Sequence, residues 1–139
     1  MSGWRLSRHF LGSTASVREA RRFVTTFLSG WPVAETAELI VSELATNAVR
    51  HSASGRFGGR FLVTLQAGQD RLWLGVLDEG GPSSPVLRPD GPDDEGGRGL
   101  LLVSVLADSW GVHGDEHGRT VWAVLHTETA AALRVASCR

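Results

Sequence analysis

The stretch from residue 79 to residue 97 constrains the fold of this 139-residue chain more than any other. It holds five glycines and four prolines in nineteen positions, so it forms neither a long regular helix nor a central strand. Loops of this length inside a compact domain are usually functional or disordered. The chain has the size of one domain and shows no internal repeat. We therefore expect a single domain over residues 1–139 with this loop inside it.

The apolar periodicity on both sides of the loop predicts an ordered series of strands and helices. The predicted order is β, α, α, β, β, long loop, α, β, β and a last short helix. These elements are expected at 4–11, 14–28, 34–52, 60–67, 71–78, 99–107, 109–113, 119–126 and 128–136. Helices grouped beside an antiparallel hairpin are typical of an α+β fold. We expect a two-layer sandwich with a mixed, mainly antiparallel sheet and helices on one face.

Composition excludes several classes of function. The net charge is −1, so there is no electrostatic footprint for nucleic acid or an anionic membrane. All 14 basic residues are arginines, which excludes a P-loop lysine and a Schiff-base lysine. The one cysteine, Cys138, suits a reducing cytosol, and neither a signal peptide nor an apolar run of ~20 residues is present. We expect a cytoplasmic protein with no direct nucleic-acid or membrane partner.

Glu43 and Asn47 form the first candidate functional pair. They are four residues apart in the second predicted helix, so their side chains project from one face. They border the apolar stripe of that helix, where an acid and an amide are unusual unless they line a site. Taken alone, the segment favours the alternative, in which Glu43 is solvated and Asn47 is a satisfied polar neighbour.

Two further segments place glycines where a ligand could approach the backbone. One predicted strand ends in Asp78 followed by Glu79-Gly80-Gly81, and a carboxylate there could accept a hydrogen bond from an exocyclic amine. Asp-x-Gly is equally ordinary turn chemistry after a strand. The segment Gly96-Gly97-Arg98-Gly99-Leu100 opens the third helix, where backbone N–H groups suit a phosphate. Each segment alone is weak evidence for a site.

Taken in order, the three segments resemble the N, G1 and G2 boxes of the GHKL ATPases, the superfamily of gyrase, histidine kinases and MutL. The likeness is strongest to the RsbW-like anti-sigma-factor serine kinases. Their Ser-Glu-Leu-x-x-Asn-Ala-x-x-His helix stands here at 42–51, and their Gly-Arg-Gly-Leu-x-Leu-Val segment at 97–103. Their closing patterns stand at 107–112 and 118–122. The resemblance extends from about residue 5 to residue 125 and implies the Bergerat-type ATP-binding fold.

The resemblance implies a catalytic role for the second helix. Glu43 would be the general base that takes a proton from the attacking hydroxyl. Asn47 would bind the Mg²⁺ that bridges the phosphates of ATP. His51, at the end of the same helix, would approach those phosphates or else be a helix-end residue favourable to the dipole.

The resemblance also assigns the base and phosphate contacts. Asp78 would receive the adenine amino group, Thr120 would support it through water, and Gly80 would let the base approach. Residues of about 80–97 would form the ATP lid. The phosphates would contact the start of the third helix, which comprises Gly97, Arg98, Gly99 and Leu100.

By this resemblance the chain is a serine/threonine protein kinase that phosphorylates an anti-anti-sigma protein and sequesters a sigma factor, and it would commonly form a homodimer. Two departures leave an alternative open. Pro82 replaces the second glycine of the family's Asp-x-Gly-x-Gly box, and no lysine is present to neutralise the γ-phosphate. The alternative is a non-catalytic interaction module of the same fold, with or without bound ATP. A third possibility, the catalytic domain of a histidine kinase, ranks below both. A histidine kinase would carry a pair of dimerisation helices before this domain, and we expect none before about residue 5.

Overall fold

The computed structural model describes residues 3–51, 58–80 and 95–127, with the backbone alone for 95–99. Its elements are β1 (Trp4–Leu11), α1 (Thr14–Phe27), α2 (Ala34–His51), β2 (Arg60–Ala67), β3 (Arg71–Asp78), α3 (Glu95–Leu106), β4 (Ser109–Asp115) and β5 (Gly118–His126). The predicted order of these eight elements is confirmed. The third helix begins at Glu95 rather than at Gly99, so the last residues of the predicted lid are helical. The helix predicted at 128–136 and most of the lid lie outside the described residues.

Local side-chain chemistry sets the start of α1. The backbone of Ser13 is extended, and its hydroxyl oxygen accepts a hydrogen bond from the backbone N–H of Ser16 at 3.3 Å. This N-cap satisfies one of the N–H groups that a helix start leaves without an intrahelical partner. At the other end the chain turns at Gly30, whose φ of 82° favours glycine.

The sheet has the order β1-β2-β3-β5-β4, and all of its strand pairs are antiparallel. The α+β fold predicted from the sequence is confirmed. The described strands contain no parallel pair of the kind that a mixed sheet would have.

One face of the sheet is covered by the helices. Alternate residues of β2 and β3 on that face are almost inaccessible to solvent, and they are Phe61, Val63, Leu65, Leu72, Leu74 and Val76. They pack against the apolar stripe of α2, which consists of Ala37, Ile40, Val41, Leu44, Ala45 and Ala48. Each large side chain buried here contributes about 1.5–3 kcal/mol relative to exposure. This interface holds α2 firmly against the centre of the sheet.

The opposite face of the sheet carries two tryptophans that lie over glycines. A Cβ built on Gly75 would be 2.6 Å from Cζ3 of Trp73, and one built on Gly111 would be 2.7 Å from Cζ2 of Trp122. Both indole rings therefore lie flat against the strands, where only glycine leaves room for them. Both side chains are only partly buried.

None of the helices in the described ranges has the length and apolar character needed to cross a membrane.

Candidate functional site

The end of β3, the turn between β4 and β5 and the start of α3 lie at the same edge of the sheet. Asp78 is the last residue of β3 and pairs with Arg119, so the turn between β4 and β5 lies at this edge. The C-terminus of α3 is close in sequence to the opposite end of β4, because only residues 107 and 108 separate them. The helix is about 18 Å long and packs on α2 and β4, from which we infer that it runs back along the sheet with its N-terminus toward the Asp78 edge. The start of α3 and the end of β3 therefore face one another.

The Asp78 carboxyl group is the most deeply buried acid at this edge that the structure describes. Its residue is 7% exposed, on the face that the helices cover. The backbone N–H of Gly80 donates to its Oδ1 at 2.6 Å, and the backbone N–H of Arg119 also donates to the carboxylate. Burial raises the pKa of Asp78 above its ordinary value of 3.8, against the opposing effects of these two N–H donors and the Arg119 charge. The arrangement suits a hydrogen-bond acceptor that faces a site.

Gly80 is required by the fold itself. Its φ is 78°, and a Cβ at this position would collide with the carbonyl group of Glu116 and lie 2.9 Å from the backbone nitrogen of His117. The turn between β4 and β5 packs directly on this residue. The packing of this turn therefore explains the glycine without a bound base. The hydrogen bond from the Gly80 N–H to Asp78 is the contact expected if Asp-x-Gly acts as an ordinary turn after a strand.

Glu43 and Asn47 lie on the flank of α2 that faces α3. On the other flank, Nε of Arg21 in α1 is 4.0 Å from Oε2 of Glu38. Asn47 is nine residues beyond Glu38, about two and a half helical turns, and so projects to the opposite side. The helix α2 contacts both α1 and α3, which places α3 beside Asn47. Both Glu43 and Asn47 are partly buried, as expected of side chains that line a cleft.

The predicted phosphate contacts fall at helix ends. His51 is the exposed last residue of α2. Gly97 is the third residue of α3, and the N–H groups of the first three residues have no intrahelical acceptor. Arg98 and Gly99 follow, and the N–H of Arg98 is the first that can bond within the helix. The side chain of Arg98 lies outside the described part of the chain.

Leu100 belongs to the core. Its side chain is 1% exposed and lies in the main cluster of buried residues. It therefore positions α3 and does not present its side chain to a phosphate.

The structure does not bring Thr120 to Asp78. Thr120 pairs with Leu77, whereas the partner of Asp78 is Arg119. Side chains alternate between the two faces of a strand, so Thr120 lies with Trp122 on the face away from the helices. A contact through one water between Thr120 and a base held by Asp78 does not fit this register.

Arg119 is the functional candidate that sequence reasoning missed. It is 4% exposed and projects from β5 on the same face as Asp78. The alternation of residues along β5 could have identified it, because every second residue of this strand is buried. These residues are Arg119, Val121, Ala123 and Leu125. A buried arginine within a strand is unusual and marks an electrostatic role.

The described residues contain no group of three or more His, Cys, Asp or Glu side chains that could hold a metal. Mg²⁺ usually binds proteins through one or two oxygen ligands and completes its shell with water and substrate phosphates. The side-chain oxygen of Asn47 fits such a ligand. Bound there, the ion would neutralise phosphate charge.

Comparison with known proteins identifies the fold and the family. No curated protein sequence matches the chain. The solved structures that match include the RsbU and RsbW domains of Rv1364c from Mycobacterium tuberculosis, with a TM-score of 0.60 and 18% identity. That match covers 86% of this chain and 32% of the other, so this chain spans about a third of the length of the solved chain. The family model of the histidine kinase-like ATPase domain matches residues 10–125. The chain is thus a member of the histidine kinase-like ATPase domain family, the GHKL superfamily that its motifs resemble.

Proposed function

We propose that this chain is a cytoplasmic serine/threonine protein kinase that binds Mg²⁺–ATP at the Asp78 edge of the sheet. The observation that carries the proposal is the buried Asp78 carboxylate, at the edge toward which the start of α3 points. The family match supports an ATPase-type nucleotide site. The likeness of the motifs to the RsbW-like anti-sigma-factor kinases is the ground for proposing a sigma factor and an anti-anti-sigma protein as partners, and a homodimer as the working state.

The proposed roles of the base and phosphate contacts come from the family resemblance, and the positions of the strand and helix ends support them. The Asp78 carboxylate accepts a hydrogen bond from the adenine amino group. The N–H groups at the start of α3, including that of Gly97, point along the helix axis toward the phosphates. Asn47 holds the Mg²⁺ ion, and His51 adds a donor at the end of α2. Phosphoryl transfer depends mainly on such positioning and charge neutralisation.

Glu43 supplies the proton acceptor for transfer. It lies one helical turn before Asn47, so the proposed base and the proposed metal ligand are on the same flank of α2. A carboxylate in hydrogen-bond reach of a serine or threonine hydroxyl takes its proton as the oxygen attacks phosphorus.

One feature of the chain favours a second candidate function, that of a non-catalytic ATP-binding interaction module. The sequence has no lysine, so only arginine side chains and Mg²⁺ can neutralise the transferred phosphoryl group. In that case the nucleotide would hold the domain in a partner-binding conformation, and no phosphate would be transferred.

The experiment that tests nucleotide binding is a calorimetric titration of the purified chain with ATP, with and without Mg²⁺. The proposal expects saturable binding that is strengthened by Mg²⁺. No binding at about millimolar ATP, an affinity near −4 kcal/mol, would overturn both ATP-binding functions and leave an interaction module that works without a nucleotide.

Replacing Glu43 by glutamine is expected to lower the rate of partner phosphorylation by about 10²–10⁴-fold, because general-base catalysis contributes that much. ATP affinity should change little. The measurement is transfer of labelled γ-phosphate to a panel of anti-anti-sigma proteins.

Glu35→Gln is the matched control, since Glu35 is an exposed acid in the first turn of the same helix. Equal rates for the Glu43 variant and the wild type would show that Glu43 is not the base. ATP binding by the wild type without transfer to any protein of the panel would favour the interaction module.

A further inference from the structure

We propose that Arg119 reads the purine base directly, its guanidinium donating to the ring nitrogen beside the amino group that Asp78 receives. This inference rests on the proposed binding of ATP at Asp78. It assigns a base-positioning role to the variable position of the closing pattern at 118–122, to which the resemblance gives no role.

The sheet register places the two side chains together. Asp78 and Arg119 are direct cross-strand partners in antiparallel strands, so their Cβ atoms are about 4.5–5.5 Å apart on the same face. Both are buried, with 7% and 4% exposure. They project toward the helix-covered side at the edge of the sheet where α3 begins. A base held by one of them meets the other.

The chemistry of the pair matches one edge of adenine. The exocyclic amino group of adenine is a donor, and the adjacent ring nitrogen N1 is an acceptor. A carboxylate only accepts hydrogen bonds, and a guanidinium only donates them. Asp78 therefore serves the amino group, and Arg119 serves N1. The guanidinium has five N–H donors, so it can interact with the carboxylate and the base together.

The charge of Arg119 also supports the state of Asp78 that accepts hydrogen bonds. Burial raises the pKa of Asp78, while the positive charge of Arg119 lowers it and favours the ionised carboxylate. A neutral donor at position 119 would give less of this support. One buried arginine thus contacts the base and keeps its neighbour in the accepting form.

The test is a double-mutant cycle with a modified nucleotide. Dissociation constants are measured for ATP and for 1-deaza-ATP, which has a C–H in place of N1, with the wild type and with Arg119→Met. We expect the wild type to bind the analogue about 10- to 100-fold more weakly, the range for a hydrogen bond to a charged group. The variant should bind both nucleotides with equal affinity, within about twofold.

An arginine that only pairs with Asp78 would give a different pattern. Its loss would weaken both nucleotides equally, and the penalty for 1-deaza-ATP would be the same in wild type and variant. That result overturns the inference. Equal binding of the two nucleotides by the wild type also overturns it, even if the variant fails to fold.

Two controls separate this inference from the proposed function. Arg71→Met removes an arginine whose side chain is 64% exposed at the far end of β3, and the analogue penalty should remain. Purine riboside triphosphate, which lacks the amino group, tests Asp78 alone. If ATP binds and the amino group matters but N1 does not, only the role of Arg119 fails. If no nucleotide binds, the proposed function fails and this inference with it.

Discussion

The Asp78→Asn variant is expected to bind ATP about 100-fold more weakly than the wild type. The hydrogen bond from the Gly80 N–H holds Oδ1 of residue 78 at 2.6 Å. In asparagine the oxygen would keep this bond, so the NH₂ group would point toward the adenine amino group. Two donors would then face each other, and the charged acceptor would be lost. Calorimetric titration of both proteins with ATP and Mg²⁺ measures the difference.

The same substitution is expected to change how the stability of the fold depends on pH. The folded-state pKa of Asp78 is raised above 3.8, so the folded protein binds this proton more tightly than the unfolded chain does. Stability from this group is therefore fully present below 3.8 and is lost as the pH rises through the raised pKa. Urea unfolding at about pH 7 and about pH 4 should show that the free energy of unfolding of the wild type, relative to that of the variant, is larger at the lower pH. A stability difference between the two proteins that is the same at both pH values would contradict this explanation.

Asp115→Asn is a matched control at the same edge. Asp115 accepts a hydrogen bond at 2.8 Å from the backbone N–H of His117, two residues on, as Asp78 does from Gly80. It is exposed, and that N–H lowers its pKa, so its contribution to stability is lost as the pH falls through the lowered value. This variant should keep full ATP affinity and lose a little stability at neutral pH. The two aspartates thus differ in the sign of their pH effect.

Replacing Gly80 by alanine is expected to lower the free energy of unfolding by about 3 kcal/mol or more. Two effects contribute to this loss. A left-handed backbone costs a residue with a Cβ about 1–2 kcal/mol, and forcing atoms into filled space costs about 1–3 kcal/mol more. The colliding atoms are backbone atoms of Glu116 and His117, which cannot rotate away. Urea unfolding measures the loss.

Gly30→Ala separates these two effects. Gly30 has nearly the same φ, 82° against 78°, but a Cβ there would meet no atom within 4 Å. Only the conformational cost of about 1–2 kcal/mol is expected. Equal losses for the two variants would show that the turn between β4 and β5 moves aside easily.

The regular part of the fold could be predicted from local pattern. The stripes of α1 and α2 and the alternation in β2 and β3 gave bounds that match the structure closely. The start of α3 was misplaced because Glu95-Gly96-Gly97 has low intrinsic helix propensity. Packing of α3 as a whole against α2 stabilises the helix, and a single segment does not reveal such a contact.

The candidate site could be predicted only where its residues lie in one segment. Their spacing in one helix predicts that Glu43 and Asn47 lie on the same face. Asp78 could be predicted as a candidate because it ends a strand and glycines follow it. Which residue of β5 lies beside Asp78 depends on the register between two strands separated by a long loop. A shift of this register by one residue moves every side chain of the strand to the other face of the sheet. For this reason Arg119, and not Thr120, lies on the same face as Asp78.

The register of β3 and β5 also determines when the site can exist during folding. The hairpins β2–β3 and β4–β5 each join neighbouring segments, whereas Asp78 and Arg119 are about 40 residues apart and meet only when the two hairpins dock. A nucleotide binds only after this docking, so it stabilises the docked state by mass action. Binding should therefore slow unfolding, and the rate of folding should stay unchanged if the hairpins dock after the transition state.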